Sequence, residues 1–352
     1  MHAILLGSSI GDPQPNEEQP TVTIDVRPAG QLADGQTVSV IEISNPLLRA
    51  RFLNLGATLW QLRPEAHPTG DGVCLFHHDP LAYADNPPYL GCAVGPLANR
   101  VANSTFVLDG HTHDLTPNEG PHQLHSGPTG FSHRLWEFET DAAADSVTFR
   151  FHRPDGEGGY PGNLDLSVTW TLERNSLLFE WVASTDHATP VSITNHTYWN
   201  LAGGGTIEQH RLRLDATELV AVDDELIPTG ELTATAGTPF DLRHNPRLGA
   251  IIGQLALAGI DHCYTLDPGA RTLLTNPDNG LRLEVETSLP GVQIYTGHHL
   301  DGSAEHGGYA SYSGVALETQ FYPDAVNQPQ FPSPVLTAHE TVRHWTRYTL
   351  HQ

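Results

Sequence analysis

Ser146-Val147-Thr148-Phe149-Arg150-Phe151-His152 alternates polar and apolar side chains along its whole length. That period of two is the mark of a strand with one face buried and one face wet. Runs of the same kind recur on both sides of it. They are Thr21–Arg27, Thr37–Ile43, Arg49–Leu53, Asp165–Leu172, Leu177–Ala183, Arg211–Leu214, Leu281–Thr287, Val292–Thr296 and Val315–Gln320. Each is strand-length, rich in Val, Thr, Leu and aromatics, and bounded by turn residues. Thr341–Leu350 alternates again and reads as a closing strand. Helical periodicity is nearly absent; the best short helix is Leu248–Leu257, and a turn starts near Asp79. Many short strands separated by frequent turns predict an all-β protein built as one large antiparallel β-sandwich, with a double-domain jelly roll as the alternative.

The 352 residues include 33 Gly and 27 Pro, spread along the chain with no linker-like cluster and no repeat of fixed period. A single domain over residues 21–352 is therefore expected. The opening MHAILLGSSIGDPQPNEEQP lacks a basic leader and runs into Pro, Glu and Gln, so residues 1–20 read as a frayed, flexible tail. No apolar run reaches the ~18 residues of a membrane span.

All 17 basic residues are arginines, against 41 Asp plus Glu, for a formal net charge of -24. The absence of lysine excludes Schiff-base chemistry, a pyridoxal-phosphate lysine and a Walker-A phosphate loop. So negative a chain is a poor match for nucleic acid or an anionic membrane surface. Cys74, Cys92 and Cys263 are too scattered for a disulfide framework or a zinc ribbon, which fits a reducing, cytoplasmic setting.

Four polar segments crowd among aromatics and turn glycines. In Gly95–Asn103, Asn99 and Arg100 set an amide and a planar cation in a mostly apolar run. Such an arginine needs a buried partner or a ligand. Gly120–Trp136 is a Gly/Pro-rigid loop carrying His122 and His125. In Ile193–Leu201, His196 stands with Asn195, Tyr198, Trp199 and Asn200. Aromatic faces, amides and an imidazole together suit a sugar, whose ring face stacks and whose hydroxyls accept and donate hydrogen bonds. Glu318 follows the apolar Val315-Ala316-Leu317. A carboxylate on so apolar a strand is paired, has a raised pKa, or does chemistry. Asp261-His262 is a weaker case of the same kind. His111 and His113 form an H-x-H that would suit a metal-dependent jelly roll, but Asp109-Gly110 makes that spot a hairpin turn and Glu119 comes late for a compact ligand set.

Taken together, the segments resemble the aldose 1-epimerase (galactose mutarotase) family. The similar motifs are ANRVAN at 98–103, LDG at 108–110, NEGPHQLHSGPTGF at 118–131, NHTYWNL at 195–201, DHCY at 261–264, VQIYTG at 292–297 and LETQFYPDAVN at 317–327, in the family's order. The chain departs at Pro96, where the family usually has Arg, at Ser126, usually Gly, and at Trp199, often Phe. The resemblance implies a galactose mutarotase-like supersandwich that interconverts the α and β anomers of a free aldohexose such as glucose or galactose. It implies Glu318 as catalytic base, His196 as catalytic acid, held protonated by a nearby carboxylate, and His125 as a second active-site histidine. It implies Asn99, Arg100, Asp261 and Gln293 as sugar ligands, with Tyr198 or Trp199 stacking on the ring. Proton transfer alone suffices for this chemistry, so no cofactor and no metal are expected, and the partner is a small-molecule aldose on a monomer or homodimer. The competing readings are a hexose 6-phosphate 1-epimerase and a non-catalytic sugar-binding module on the same fold.

Overall fold

A computed structural model describes residues 21–66, 71–256 and 258–352. The expected tail over 1–20 lies outside the described residues. The strand Ser146–Arg153 forms as its alternation requires: Val147 and Phe149 are buried, while Arg150 and His152 face solvent. It pairs antiparallel with Leu164–Glu173, setting Val147 opposite Trp170 and Phe149 opposite Val168. Leu164–Glu173 pairs in turn with Ser176–Thr185, setting Trp170 opposite Phe179. The same sheet continues through Thr341–His351, Arg282–Thr287, Thr272–Thr275 and Arg211–Leu214, with Glu137–Asp141 at the other edge, to eight strands. The closing strand thus lies in the middle of the large sheet, between Ser176–Thr185 and Arg282–Thr287.

A second, six-stranded sheet is ordered Tyr198–Trp199, Val315–Gln320, Gly291–Tyr295, Asp261–Thr265, Glu218–Val222, Pro228–Ala234. A third has four strands in sequence order: Thr23–Gln31, Thr37–Ser44, Leu48–Leu53 and Thr58–Pro64. One continuous apolar cluster draws on all three sheets, from Ile41 and Phe52 through Phe149, Trp170 and Trp181 to Leu317 and Tyr348. Burial of these faces is what holds the layers together. The helix Leu248–Gln254 ends short of the expected Leu257, because Ala256 turns into the left-handed region at φ 52°. Among the described residues no helix is long and apolar enough to cross a membrane.

Neighbours on a strand point to opposite faces of its sheet. Tyr198 and Trp199 are neighbours on a two-residue strand paired with Ala316 and Val315. Trp199 shares Val315's core face; it is fully buried and lies 5.1 Å, ring to ring, from Tyr348 of the large sheet. The expectation that Trp199 stacks on a ligand is therefore corrected: it ties the two sheets together. Trp199→Ala should cost about 3–5 kcal/mol in urea unfolding. Trp199→Phe should leave KM for a sugar unchanged, whereas a KM change of several-fold would return the residue to the binding face.

Candidate active site

The face of the six-stranded sheet turned away from the core carries a different set of side chains. Val292 and Ile294 point into the core, so Gln293 and Tyr295 point out. Val315 and Leu317 point in, so Glu318 points out, directly opposite Gln293. On the next strand Asp261 pairs with Tyr295 and Cys263 with Gln293, which puts Asp261 on the same outer face. Strand parity alone thus gathers Tyr198, Glu318, Gln293, Tyr295 and Asp261 on one surface. A cleft of about 190 Å³ opens over it, lined by Tyr89, Asn99, Arg100, Glu119, His125, His196, Tyr198, Asp261, Tyr295, His299, His306 and Glu318, among others.

Loops set against this sheet bring the histidines. Arg100–Val101 pairs with Gln123–Leu124, and His125 follows directly. The backbone N–H of His125 donates to the Asn99 carbonyl at 3.0 Å, and the Asn99 N–H donates to His125 Nδ1 at 3.2 Å. A neutral imidazole that accepts at Nδ1 carries its proton on Nε2. His125 therefore presents an N–H donor. His196 is placed by a second exchange: its N–H donates to the Cys92 carbonyl and its carbonyl accepts from the Gly91 N–H, both at 3.0 Å. Asn195 Nδ2 anchors the same turn on the Gly91 carbonyl at 2.7 Å. Gly91 has φ +67°, and a Cβ there would lie 2.2 Å from the Leu59 carbonyl oxygen, so only glycine fits.

Across the cleft floor, His196 Nε2 lies 3.6 Å from Glu318 Oε1. The two residues are 4% and 2% exposed. Glu318 Oε2 and His196 Nδ1 have no hydrogen-bond partner among the described residues. Burial dominates both titrations. It pushes the Glu318 carboxyl well above the usual carboxylate range, helped by Asp261 and opposed by Arg100. It pulls His196 down to about 4 and His125 well below the ordinary histidine value. The expectation that a carboxylate holds His196 protonated is thus corrected for the free enzyme. Burial favours the uncharged form of each partner there, the protonated carboxyl and the neutral imidazole. The rings of His125 and Tyr198 lie 5.3 and 4.9 Å from that of His196. Tyr89 covers His125 at 4.6 Å and His196 at 6.0 Å.

Arg100 enters from the side. Its Nε and Nη2 donate to Glu119 at 2.7 and 2.9 Å, a bidentate pair, and its Nη1 lies 3.8 Å from Asp261. Gln293 Nε2 donates to Asp261 Oδ1 at 2.5 Å. Arg100 is ion-paired and also lines the cleft. Asn99 lines the cleft too, but its Oδ1 accepts from the Arg100 N–H, so part of its function is local backbone geometry. Gln293 is 3% exposed and sits behind Asp261, so it orients that carboxylate from outside the cleft lining.

Tyr89, Glu119, Tyr295, His299 and His306 also line the cleft and were not singled out from the sequence as ligands. Tyr295 had a signal, since it is two residues from Gln293 on one strand. His299 is on the cleft wall as well. His111 and His113 lie in the hairpin of Thr105–Leu108 with His111–Asp114, and His113 stacks on Phe106.

Among the described residues one group brings three metal-type donors together, His125, His196 and Glu318, within 4.8 Å of one another. Its chemistry does not suit a metal. The Asn99 N–H occupies the Nδ1 lone pair of His125, which leaves an N–H, and no free lone pair, facing the cleft.

The sequence matches the family model for aldose 1-epimerase over residues 39–349. It is similar to the galactose mutarotase of Homo sapiens, 38% identical over 322 residues that cover 89% of this chain and 94% of the relative. It is 38% identical to the aldose 1-epimerase of Haemophilus influenzae over 315 residues, 85% of this chain and 91% of that one. Among solved structures, galactose 1-epimerase from Lactobacillus acidophilus superposes with a TM-score of 0.85 at 27% identity, covering 94% of this chain and 99% of that chain. The aldose epimerase homologue from C. elegans gives 0.81 at 30% identity, covering 90% and 99%.

Proposed function

This chain belongs to the aldose 1-epimerase family, and we propose that it interconverts the α and β anomers of a free, neutral aldohexose by acid–base ring opening at the Glu318–His196 pair. The observation that carries the assignment of roles is the buried carboxyl and imidazole facing each other at 3.6 Å with unpartnered atoms at the cleft floor.

In this reading the C1 hydroxyl donates into the Glu318 carboxyl, which draws it toward its ionised form and shifts the pair's proton to His196. Glu318 then takes the hydroxyl proton as the C1–O5 bond breaks. The bond's electron pair goes to the ring oxygen, which takes a proton from His196. The product is the open aldehyde with Glu318 protonated and His196 neutral. Rotation about C1–C2 presents the other carbonyl face, and the same transfers in reverse close the ring. The open-chain stage has the proton on Glu318, the arrangement that burial favours in the free enzyme. The Nε2–H of His125 supports the ring oxygen or the aldehyde oxygen, Arg100 and Asp261 hold the remaining hydroxyls, and Tyr198, Tyr295 or Tyr89 offers the apolar wall.

A phosphosugar fits less well. Arg134, the second cation near the motifs, donates to Glu157 at 2.8 Å and stacks on Phe151, outside the cleft lining. Arg100 is the one arginine on the cleft among the described residues, and it is already paired. Phosphate capture asks for a free, preferably clustered, cation. Anomerisation of galactose or glucose should therefore exceed that of glucose 6-phosphate at least ~10-fold in kcat/KM. A phosphosugar preference that fades as salt rises would move the substrate to the charged class.

A further inference from the structure

We infer that Glu119 is a charge selector: by neutralising Arg100 it makes the cleft discriminate against aldoses that carry an anionic group. The inference rests on the proposed anomerase reading and names a specificity determinant within it. Glu119 belongs to none of the strands of the site sheet. It sits in a built turn, where Asn118 Oδ1 accepts from the Leu124 N–H at 2.7 Å and Asn118 Nδ2 donates back to the Leu124 carbonyl at 3.1 Å. The Glu119 carbonyl accepts from the His122 N–H at 2.9 Å. The turn thereby aims the carboxylate at the guanidinium and engages its Nε and Nη2 edge. Only the Nη1 corner is left toward Asp261 and the cleft.

The charge count follows directly. Arg100 stands between two carboxylates, Glu119 and Asp261, so this wall of the cleft is formally anionic by one. A neutral sugar needs only the donor at Nη1 and the acceptor at Asp261. A uronic acid brings a carboxylate to a wall with no uncompensated cation, inside a cleft where low dielectric magnifies the mismatch. Without the charge on Glu119, Arg100 is balanced by Asp261 alone and the wall becomes neutral.

The test compares anomerisation of galactose and galacturonate by wild type, Glu119→Gln and Glu119→Asp. Glutamine keeps an acceptor oxygen for Arg100 and removes the charge; aspartate keeps the charge. The ratio of kcat/KM for galacturonate over galactose should rise about tenfold in Glu119→Gln, should stay near the wild-type ratio in Glu119→Asp, and the gain should shrink as salt is raised. Loss of both activities in equal proportion, with the ratio unmoved, would assign Glu119 a structural role and overturn the inference. If Glu119→Gln turns over neither sugar, calorimetric binding of the two sugars reads the same ratio: a rise supports the selector and an unmoved ratio overturns it. Failure of the wild type to anomerise galactose would strike the underlying reading instead.

Discussion

Glu318→Gln is expected to lower kcat for anomerisation by ~10²-fold or more while sugar still binds, because the amide keeps the shape and cannot accept the C1 proton. The same substitution should make the protein more stable at neutral pH. Burial raises the Glu318 carboxyl above its ordinary value of 4.5, so folding favours its protonated form. The stability this group permits is complete below 4.5 and is lost as pH rises through the raised value. Glutamine has no such loss. The gap in thermal midpoint between the variant and wild type should therefore widen from pH 4.5 to pH 8. Lost activity with unchanged or lowered stability at pH 8 would mean that the carboxylate is comfortably solvated, against the burial seen here.

His196→Asn should reduce activity by a similar ~10²-fold, and its pH behaviour separates the partners. In the proposed reading the working pair of the free enzyme holds one proton. Taking up a second proton means charging His196, which burial holds down at about 4. Losing the first means ionising Glu318, which burial holds up. The kcat/KM profile should therefore be bell-shaped with its acid limb centred near 4, well below the ordinary 6.5 of histidine, and that limb should vanish in His196→Asn. An acid limb near 6.5, or one that survives in the variant, would place the second proton on another group.

The large sheet was legible in the sequence because its strands have one dry and one wet face, as in Ser146–Arg153 and Leu164–Glu173. The strand Asp261–Thr265 escaped that pattern for the reason that makes it functional. Its outer face is covered instead of meeting bulk water: Asp261 lines the cleft, and Cys263 packs with Val220, Ala325 and Phe331. Two-residue strands such as Tyr198–Trp199 are shorter than any period, so the sequence does not tell which of the two rings faces the cleft. Glu318 was readable as a buried carboxylate because charge on an apolar run is costly. Glu119 and Tyr89 were not, since each sits in a turn whose path sets its direction and no periodicity reports that path. The protonation of His196 was unreadable for another reason. Sequence shows which groups are near in type, while the pKa depends on how much water the folded cleft excludes.

The central claim, catalysed anomerisation by side chains alone, is tested most directly by polarimetry. Freshly dissolved α-galactose is followed in buffer, and with protein that has been exhaustively treated with EDTA. The account predicts a faster approach to the same final rotation, since a catalyst leaves the anomeric equilibrium where it is, and no further gain on adding divalent ions. A decay at the buffer rate, or activity that returns only with an added metal, would contradict it.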